Sequence, residues 1–156
     1  KFLKTIPGGE NASIDRMMNE TATRETFRIK GESTITVNDY QNGRKFDDAL
    51  CYSFYPIDLH TKDGVVPKHL KRGVVPTIPR GALIPKGSTN LMVAGRCLSS
   101  DRLANSAARV QASCMGMGQA AACTAVLAAK SSITPKEVPL GEIHSLLREH
   151  GAIVPA

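Results

Sequence analysis

The feature that most constrains the fold is a long stretch without charged residues between Arg109 and Lys130. Its length alone suits a membrane-spanning helix. However, its residues are mostly alanine, glycine, serine, cysteine and methionine. Such small side chains gain little from burial in lipid, but they let a helix approach a backbone or a flat ligand closely. We therefore predict a long, buried, Ala/Gly-rich helix over about residues 105–129 and no membrane span.

Two glycines, Gly116 and Gly118, lie within one turn of this predicted helix. Each glycine costs a helix roughly 1 kcal/mol relative to alanine, so the pair needs a reason. One reason is close packing of the helix against a sheet. The other is a cofactor that lies against the start of the helix. The spacing alone favours helix packing.

Composition narrows the class of protein. A chain of 156 residues with 42% hydrophobic residues is sufficient for one packed domain. The net charge of +6 favours an anionic ligand, but the basic residues are scattered and aromatic residues make up only 4%, so we predict no nucleic-acid binding. The four cysteines form no CxxC pair. This argues against a disulfide scaffold and against a metal site, and it is compatible with a cytoplasmic location.

Periodicity and turn residues predict an α+β, or partial α/β, fold with short strands interrupted by prolines. Asn38 and Asp39 are candidates to cap a short helix. Besides the long helix, we expect helices over about residues 11–23, 46–52 and 141–150, and strands over 27–29, 34–37, 74–79, 82–85 and 90–95.

The most informative unit is a predicted strand, turn and helix start that begins with NLMVAGRCLSS at residues 90–100. A glycine at a strand end, here Gly95, lets backbone N–H groups reach a ligand. A helix N-terminus favours a phosphate or a polarised ring carbonyl, and Arg96 would add a fixed positive charge. An ordinary turn with a surface arginine explains the same residues equally well.

Residues 90–100, followed by ARVQASCMGMGQAAACTAVLAA at residues 108–129, closely resemble the C-terminal segment of a bacterial family of FAD-dependent oxidoreductases with a glutathione-reductase-like flavin fold. Further blocks match in the same order, so the resemblance extends from about Pro7 to Pro155. These blocks are TRETFRIKGESTIT, KFDDALCYSFYPIDLH, VPTIPRGALIPKGSTNL and GEIHSLLREHGAIVP.

The resemblance implies FAD as the cofactor and hydride exchange with a small-molecule substrate. It divides the chain into a substrate-side β region at residues 24–89, a flavin-contacting strand, turn and helix at 90–130, and a C-terminal helix at 139–155. Flavin contacts are implied for Gly95, Arg96, Ser99, Arg109, Gly118 and Gln119.

The YPID-H block of the family implies that Asp58 and His60 lie near the substrate. There the histidine would exchange a proton, or it would serve as a hydrogen-bonded structural residue. We expect Arg24 and Glu25 to form an internal ion pair. Cys97 has no second cysteine near it in sequence, so we expect a structural thiol there.

The sequence departs from the family pattern at Ala122, where the family has the last glycine of GQAAG, at Phe27 and at Arg80-Gly81. It also lacks the GxGxxG turn that would hold the ADP half of FAD, because its G-x-G spacing, at Gly116 and Gly118, falls inside the predicted helix. We therefore expect the C-terminal part of an enzyme, inactive alone. Its partner would be an N-terminal FAD-binding part, and an exposed apolar face would favour a homo-oligomer.

Two interpretations from other classes stay open. One is a cofactor-free structural or binding module that retains the frame of the family, which the absent ADP-binding turn supports. The other is a basic protein that binds an anionic polymer, which only the net charge supports.

Overall fold

The structure, a computed structural model, describes residues 2–19, 23–25, 27–62, 64–65 and 67–156. Helices and short strands mix along these residues, which confirms the predicted α+β class. Short 3-10 helices cover Phe2–Thr5 and Arg80–Ala82. The α-helices and strands are α1 (Val37–Gln41), β1 (Ala49–Tyr52), β2 (His60–Thr61), β3 (Gly64–Val65), β4 (Thr77–Pro79), α2 (Arg102–Ala108), α3 (Gln111–Ser131) and α4 (Leu140–Glu149).

The centre of the fold is the antiparallel pair β1–β4, with α3 packed against β1. Cys51 pairs with Ile78 across this ladder, and Leu50 and Ile78 are fully buried. Helix α4, predicted at residues 141–150, packs on α3 and β1 and buries Ile143 and Leu147 in the same core. The small β1–β4 pair therefore gains its stability from the two helices rather than from its own ladder.

Helix α3 buries one face. Its buried residues recur every three or four positions, which is the helical period, and the opposite face leaves Met115 69% exposed. By length and composition α3 could cross a membrane, which is weak evidence because a core helix passes the same test; 33% of its most apolar stretch is buried inside the structure. The buried residues of α3 are Ser113, Met117, Ala120, Cys123, Thr124 and Ala128.

The single helix predicted from about residue 105 is divided into α2 and α3. Asp101 caps the start of α2, because its carboxylate accepts a hydrogen bond from the Ala104 N–H at 2.8 Å. Arg109 ends α2 in a helical conformation, and Val110 is extended (φ −69, ψ 154). The break places Arg109 immediately before the first turn of α3.

A chain of hydroxyl groups joins α1, β1 and α3. The phenol of Tyr40 lies 3.0 Å from Ser53 Oγ, which lies 2.9 Å from Ser113 Oγ. The Tyr40 hydroxyl also donates to the carbonyl of Tyr55 at 3.2 Å. Burial raises the pKa of Tyr40, so its hydroxyl stays protonated as a donor. These buried polar groups are satisfied by one another and fix the register of the three elements.

The helix predicted over residues 46–52 is wrong, since this segment contains a turn and strand β1. The backbone of this segment is held by residues 80–81 of the same chain. The Arg80 N–H donates to the Asp48 carbonyl, and the Gly81 N–H donates to the Asp48 carboxylate, both at 2.8 Å. Tertiary pairing overrides local propensity in such a short segment. The strand predicted over residues 82–85 is also wrong, because the chain there forms a 3-10 helix and a turn, with one bridge at Pro85.

Residues 90–95, predicted as a buried strand, join no sheet within the described part of the chain. The Val93 N–H donates to the Leu83 carbonyl at 2.8 Å, and Leu91 is 53% exposed. The strands predicted at residues 27–29 and 34–37 do not form either: the first has no bridge to the described residues, with an isolated one two residues later at Gly31, and the second has a single bridge at Ile35. Isolated extended segments of this kind lack a neighbouring strand to complete the ladder.

The short helix predicted after Asn38 is confirmed as α1, but its cap is Thr36. Thr36 Oγ1 accepts from the Asp39 N–H, and the Asp39 carboxylate accepts from the Thr36 N–H, which is a capping box. The helix predicted over residues 11–23 is wrong for residues 12–18, which have no regular structure, and residues 20–22 lie outside the described part. Met17 and Met18 are 74% and 83% exposed, so no packing supports a helix there.

Candidate functional site

The break between α2 and α3 creates an open helix start. Val110, the N-cap residue of α3, makes no side-chain capping hydrogen bond. The first N–H groups of a helix have no partner inside the helix, and they carry the positive end of its dipole. Because Val110 also lines a cleft, this electropositive helix start adjoins a space that a ligand can enter.

The segment that carries Asp58 is clamped to the end of α2. The Asp58 N–H donates to Ser106 Oγ at 3.2 Å, and the Asp58 carbonyl accepts from Arg109 Nη2 at 3.1 Å. Ser106 is buried and donates its own proton to the Leu103 carbonyl. Both ends of the Asp58 peptide are therefore fixed by α2, and its side chain, 21% exposed, remains available at the cleft.

Three arginines line this cleft of about 190 Å³, which we call the arginine cleft. Its lining consists of Arg24, Asp58, Arg96, Ser106, Arg109 and Val110. A neighbouring cleft of about 410 Å³ shares Arg24 and Arg96 and extends toward Phe27 and Cys97. A long stretch of sequence separates Arg24 from Arg109, and the fold places both on one small surface.

His60 lies between an arginine and an aspartate. Its Nε2 atom is 2.7 Å from Arg24 Nη1 and 3.4 Å from Asp58 Oδ1. A guanidinium only donates, so a hydrogen bond in the shorter contact requires Nε2 as the acceptor, that is, the tautomer with its proton on Nδ1. A proton on Nε2 would instead favour Asp58. The position of this one proton therefore decides whether His60 pairs with Arg24 or with Asp58.

The turn at Gly95 supports Arg96. Gly95 has φ +84, and a Cβ there would lie 3.8 Å from Cys114 Sγ, which is ordinary contact. Glycine is therefore needed for the backbone conformation and not for space. The Arg96 carbonyl accepts from the buried Asn105 Nδ2 at 3.1 Å, which ties the turn to α2. Burial raises the pKa of the Cys114 thiol, and the nearby Arg96 guanidinium opposes that rise.

The structure divides the site residues that the sequence predicted. Asp58, Arg96 and Arg109 line one cleft, His60 contacts Asp58, and Gly95 adjoins Arg96. Ser99 is 1% exposed, and its hydroxyl is 2.9 Å from Thr34 Oγ1, so it braces the turn from inside.

Gly118 and Gln119 lie elsewhere, in the middle of α3. Seven residues of helix separate Gly118 from Gln111, which is about 10 Å at the helical rise. Gln119 Nε2 donates to the His150 carbonyl at 3.4 Å, and Gln119 lines a different cleft beside α4. The flavin contacts of Gly118 and Gln119 stay predictions that the arginine cleft does not include.

The sequence did not identify Arg24 and Ser106 as members of the site. Arg24 was expected to pair with Glu25, but Glu25 forms its ion pair with Arg28, and Arg24 contacts His60. The Asp101 cap is the signal that could have started a separate short helix at Arg102, with Ser106 inside it and Arg109 at its end. No local pattern in the sequence indicates the approach of Arg24 to Arg96.

Comparison with known proteins gives the class. A family model described as FAD dependent oxidoreductase matches residues 1–147, which is nearly the whole chain. The chain belongs to this family of FAD-dependent oxidoreductases, and FAD is the cofactor that membership implies. No curated protein and no solved structure matches the chain significantly.

The residues of the arginine cleft fit one part of FAD. An uncapped helix start and guanidinium donors suit the electron-rich edge of a flavin ring, which gains negative charge on reduction. The ADP half of FAD requires a glycine-rich turn between a strand and a helix. Gly116 and Gly118 lie inside α3, so they do not supply that turn.

Proposed function

We propose that this chain forms the flavin-ring side and the substrate side of an FAD-dependent oxidoreductase. One observation carries the proposal: Val110 at the uncapped start of α3, Arg96 and Asp58 line one cleft, Gly95 adjoins Arg96, and His60 contacts Asp58. These are the groups that a flavin and a C–H substrate require together: donors for the ring, and a carboxylate and an imidazole for proton exchange.

Each residue has a distinct role in this proposal. Bound FAD supplies the hydride chemistry, as flavins do. Gly95 gives the backbone the conformation in which the turn approaches the ring, and Arg96 and Arg109 provide fixed positive charge beside it. Ser99 braces the turn through Thr34, so it is a positioning residue. Gly118 and Gln119 would contribute only if the cofactor extends along α3.

Asp58 and His60 exchange a proton with the substrate in this proposal. His60 is 45% exposed at its side chain and is neutral when it accepts from Arg24. In that state Nε2 can take up a proton once the contact with Arg24 opens. Asp58 Oδ1, at 3.4 Å, then stabilises the protonated ring.

We propose further that the ADP half of FAD is held by a dinucleotide-binding part outside these residues, so that this chain alone is inactive. The absence of GxGxxG from the sequence supports this division. We place the protein in the cytoplasm, with α3 as a core helix and with reduced cysteines. A homo-oligomer through the exposed flank of α3 is compatible with the same arrangement.

Binding of riboflavin and of FAD tests the proposal, with the fluorescence anisotropy of the flavin as the readout. If the chain binds only the ring part of the flavin, riboflavin and FAD have dissociation constants within a few-fold of each other. Arg96→Gln then weakens the binding of both. An affinity for FAD far above that for riboflavin would contradict the division, because the ADP half would then have a seat in this chain. If neither flavin binds, and neither binds to the protein made from its natural reading frame, the flavin proposal is wrong and the chain is a cofactor-free module.

A further inference from the structure

The arginine cleft has donors that the fold does not use. Arg96 donates to the backbone carbonyls of Thr23 and Arg24 through Nη1 alone. Arg109 donates through Nε and Nη2, and Arg24 contacts His60 through Nη1. A guanidinium carries five N–H donors. Each of the three arginines therefore retains N–H groups without a partner among the described residues.

The cleft also has an excess of positive charge. None of the three arginines forms an ion pair with a carboxylate in the described part of the chain. Asp58 is the one acidic side chain in the lining, so three guanidinium charges and one carboxylate leave an excess of two positive charges. Arginine stays charged at every ordinary pH, so the excess positive charge of the cleft would attract an anion.

We propose that the arginine cleft binds an oxyanion group of the substrate, a carboxylate or a phosphate. This inference rests on the proposed function and names the substrate class for the same site. Guanidinium groups recognise both anions through paired charge-assisted hydrogen bonds. The cleft, at about 190 Å³, has room for roughly six water volumes, which suits a carboxylate or phosphate group but not a whole substrate together with a flavin ring.

The neighbours of the cleft favour a substrate over the phosphates of the cofactor. Asp58 and His60 lie at the same surface, and a proton-exchange pair serves a reacting molecule, whereas the cofactor phosphates do not react. The oxyanion would bind at the arginines and hold the rest of the substrate beside His60. Binding energy from such a remote group orients the reacting bond.

The test is an NMR titration of the 16.7 kDa chain with acetate, malonate and inorganic phosphate at constant ionic strength. We expect saturable chemical-shift changes at Arg24, Arg96 and Arg109. The anion with the lowest dissociation constant tells whether the oxyanion is a carboxylate or a phosphate. Arg24→Gln is expected to weaken binding about tenfold, as loss of one charge-assisted hydrogen bond does. Arg24 is exposed and its side chain makes one hydrogen bond among the described residues, to His60, while the contact from Arg96 is to its backbone carbonyl, so this variant should keep the fold.

Arg72→Gln is the matched control, because it removes the same charge from an exposed arginine outside the cleft. It should leave the dissociation constants unchanged within twofold. Equal weakening by Arg24→Gln and Arg72→Gln would overturn the inference, since binding would then follow net charge alone. The absence of saturable shifts with all three anions would overturn it as well.

Competition with flavins separates this inference from the proposed function. Riboflavin that binds together with the anion supports both. Displacement of the anion by FAD but not by riboflavin would overturn the inference, because the cleft would then hold the cofactor phosphates. Flavin binding without anion binding overturns the inference alone. Anion binding by a protein that never binds flavin contradicts the proposed function and, with it, the assignment of the anion to a substrate.

Discussion

Two of the clefts that border α3 differ in size and in chemistry. The larger, about 820 Å³, runs along its flank, where α3 contributes five alanines, and its remaining lining includes uncharged polar residues and Glu137. The smaller, about 190 Å³, lies at the helix start and contains three arginines. The Glu137 carboxylate accepts from the N–H and the hydroxyl of Thr134, both at 2.8 Å, so it is used locally. Cleft volume alone therefore favours the flank of α3 as a ligand site, whereas unused hydrogen-bond donors and positive charge favour the helix start.

This contrast separates two regions of one helix. Small residues let α3 lie close to whatever covers its flank, but they offer a ligand no charge and few donors. The helix start offers donors because the chain breaks at Arg109 and no side chain caps Val110. Four predictions test whether the two regions differ as the structure indicates.

The largest expected effect is on cysteine alkylation. Cys97 lines the cleft that adjoins the arginine cleft, whereas Cys51 is 7% exposed and packs beneath Gly116. Burial raises the pKa of Cys51 to about 12, so at pH 8 about one thiol in ten thousand is the reactive thiolate. We expect iodoacetamide to label Cys97 at least about a hundredfold faster than Cys51 in the folded protein, as read by peptide mass spectrometry.

Two checks accompany this prediction. In urea Cys51 and Cys97 should react at similar rates. Because the pKa of Cys51 is raised in the folded state, its thiol stabilises the fold below the ordinary thiol pKa, and this contribution is lost as the pH rises toward 12. Equal labelling in the folded protein would mean that the middle of α3 is as open as its start.

The next effect is on stability and compares two methionines of α3. Met117 is fully buried and Met115 is 69% exposed, two positions apart. Met117→Ala should lower the free energy of unfolding by about 2–4 kcal/mol, because it removes buried methylene groups and leaves a cavity. Met115→Ala should change it by less than about 0.5 kcal/mol. Urea denaturation of both variants measures the difference, and similar losses would contradict the one-sided burial of α3.

Two glycines should respond to alanine with opposite signs. Gly95→Ala forces a Cβ onto a backbone with φ +84 and should cost about 1–2 kcal/mol of stability. Gly118→Ala lies inside a helix with no atom within 4 Å of the new Cβ, so it should stabilise by about 1 kcal/mol. We also expect weaker riboflavin binding for Gly95→Ala and unchanged binding for Gly118→Ala. Loss of riboflavin binding in Gly118→Ala would return Gly118 to the flavin site.

The smallest effect is expected on the exposed flank. Ala125 lines the larger cleft and is exposed, and glutamine is nearly as good a helix former as alanine. Ala125→Gln should therefore change stability by less than about 0.5 kcal/mol and leave riboflavin affinity unchanged in a fluorescence titration. A clear drop in riboflavin affinity would show that the flank belongs to the cofactor site and would remove the distinction between the two clefts.

The sequence predicted the parts of the fold that repeat over many residues. The composition of α3 and the helical period of α4 predicted almost all the residues of both helices. The break at Arg109 was missed because it depends on the Asp101 cap and on contacts between Arg109 and Asp58 that no local pattern records. The helix expected near Met17 failed because helical spacing without a packing surface is insufficient.

As with the fold, the sequence predicted only some of the residues that line the cleft. Asp58, Arg96 and Arg109 were identified through family motifs, and the structure brings them to one cleft. Arg24 was assigned to a local ion pair because Glu25 is its neighbour in sequence, whereas its contact with His60 spans a large separation. Sequence motifs therefore singled out three residues that the fold places at one cleft, and the tertiary structure decides which of its charges have no ion pair among the described residues.

The most direct test of the central claim is the visible absorption spectrum of the protein purified from its natural reading frame, before and after addition of FAD. The account predicts the two visible bands of a bound flavin, and it predicts that Gly95→Ala reduces the bound flavin per protein whereas Gly118→Ala does not. A protein that stays colourless after FAD is added, while its fold is intact, would contradict the assignment of the α3 start to the flavin.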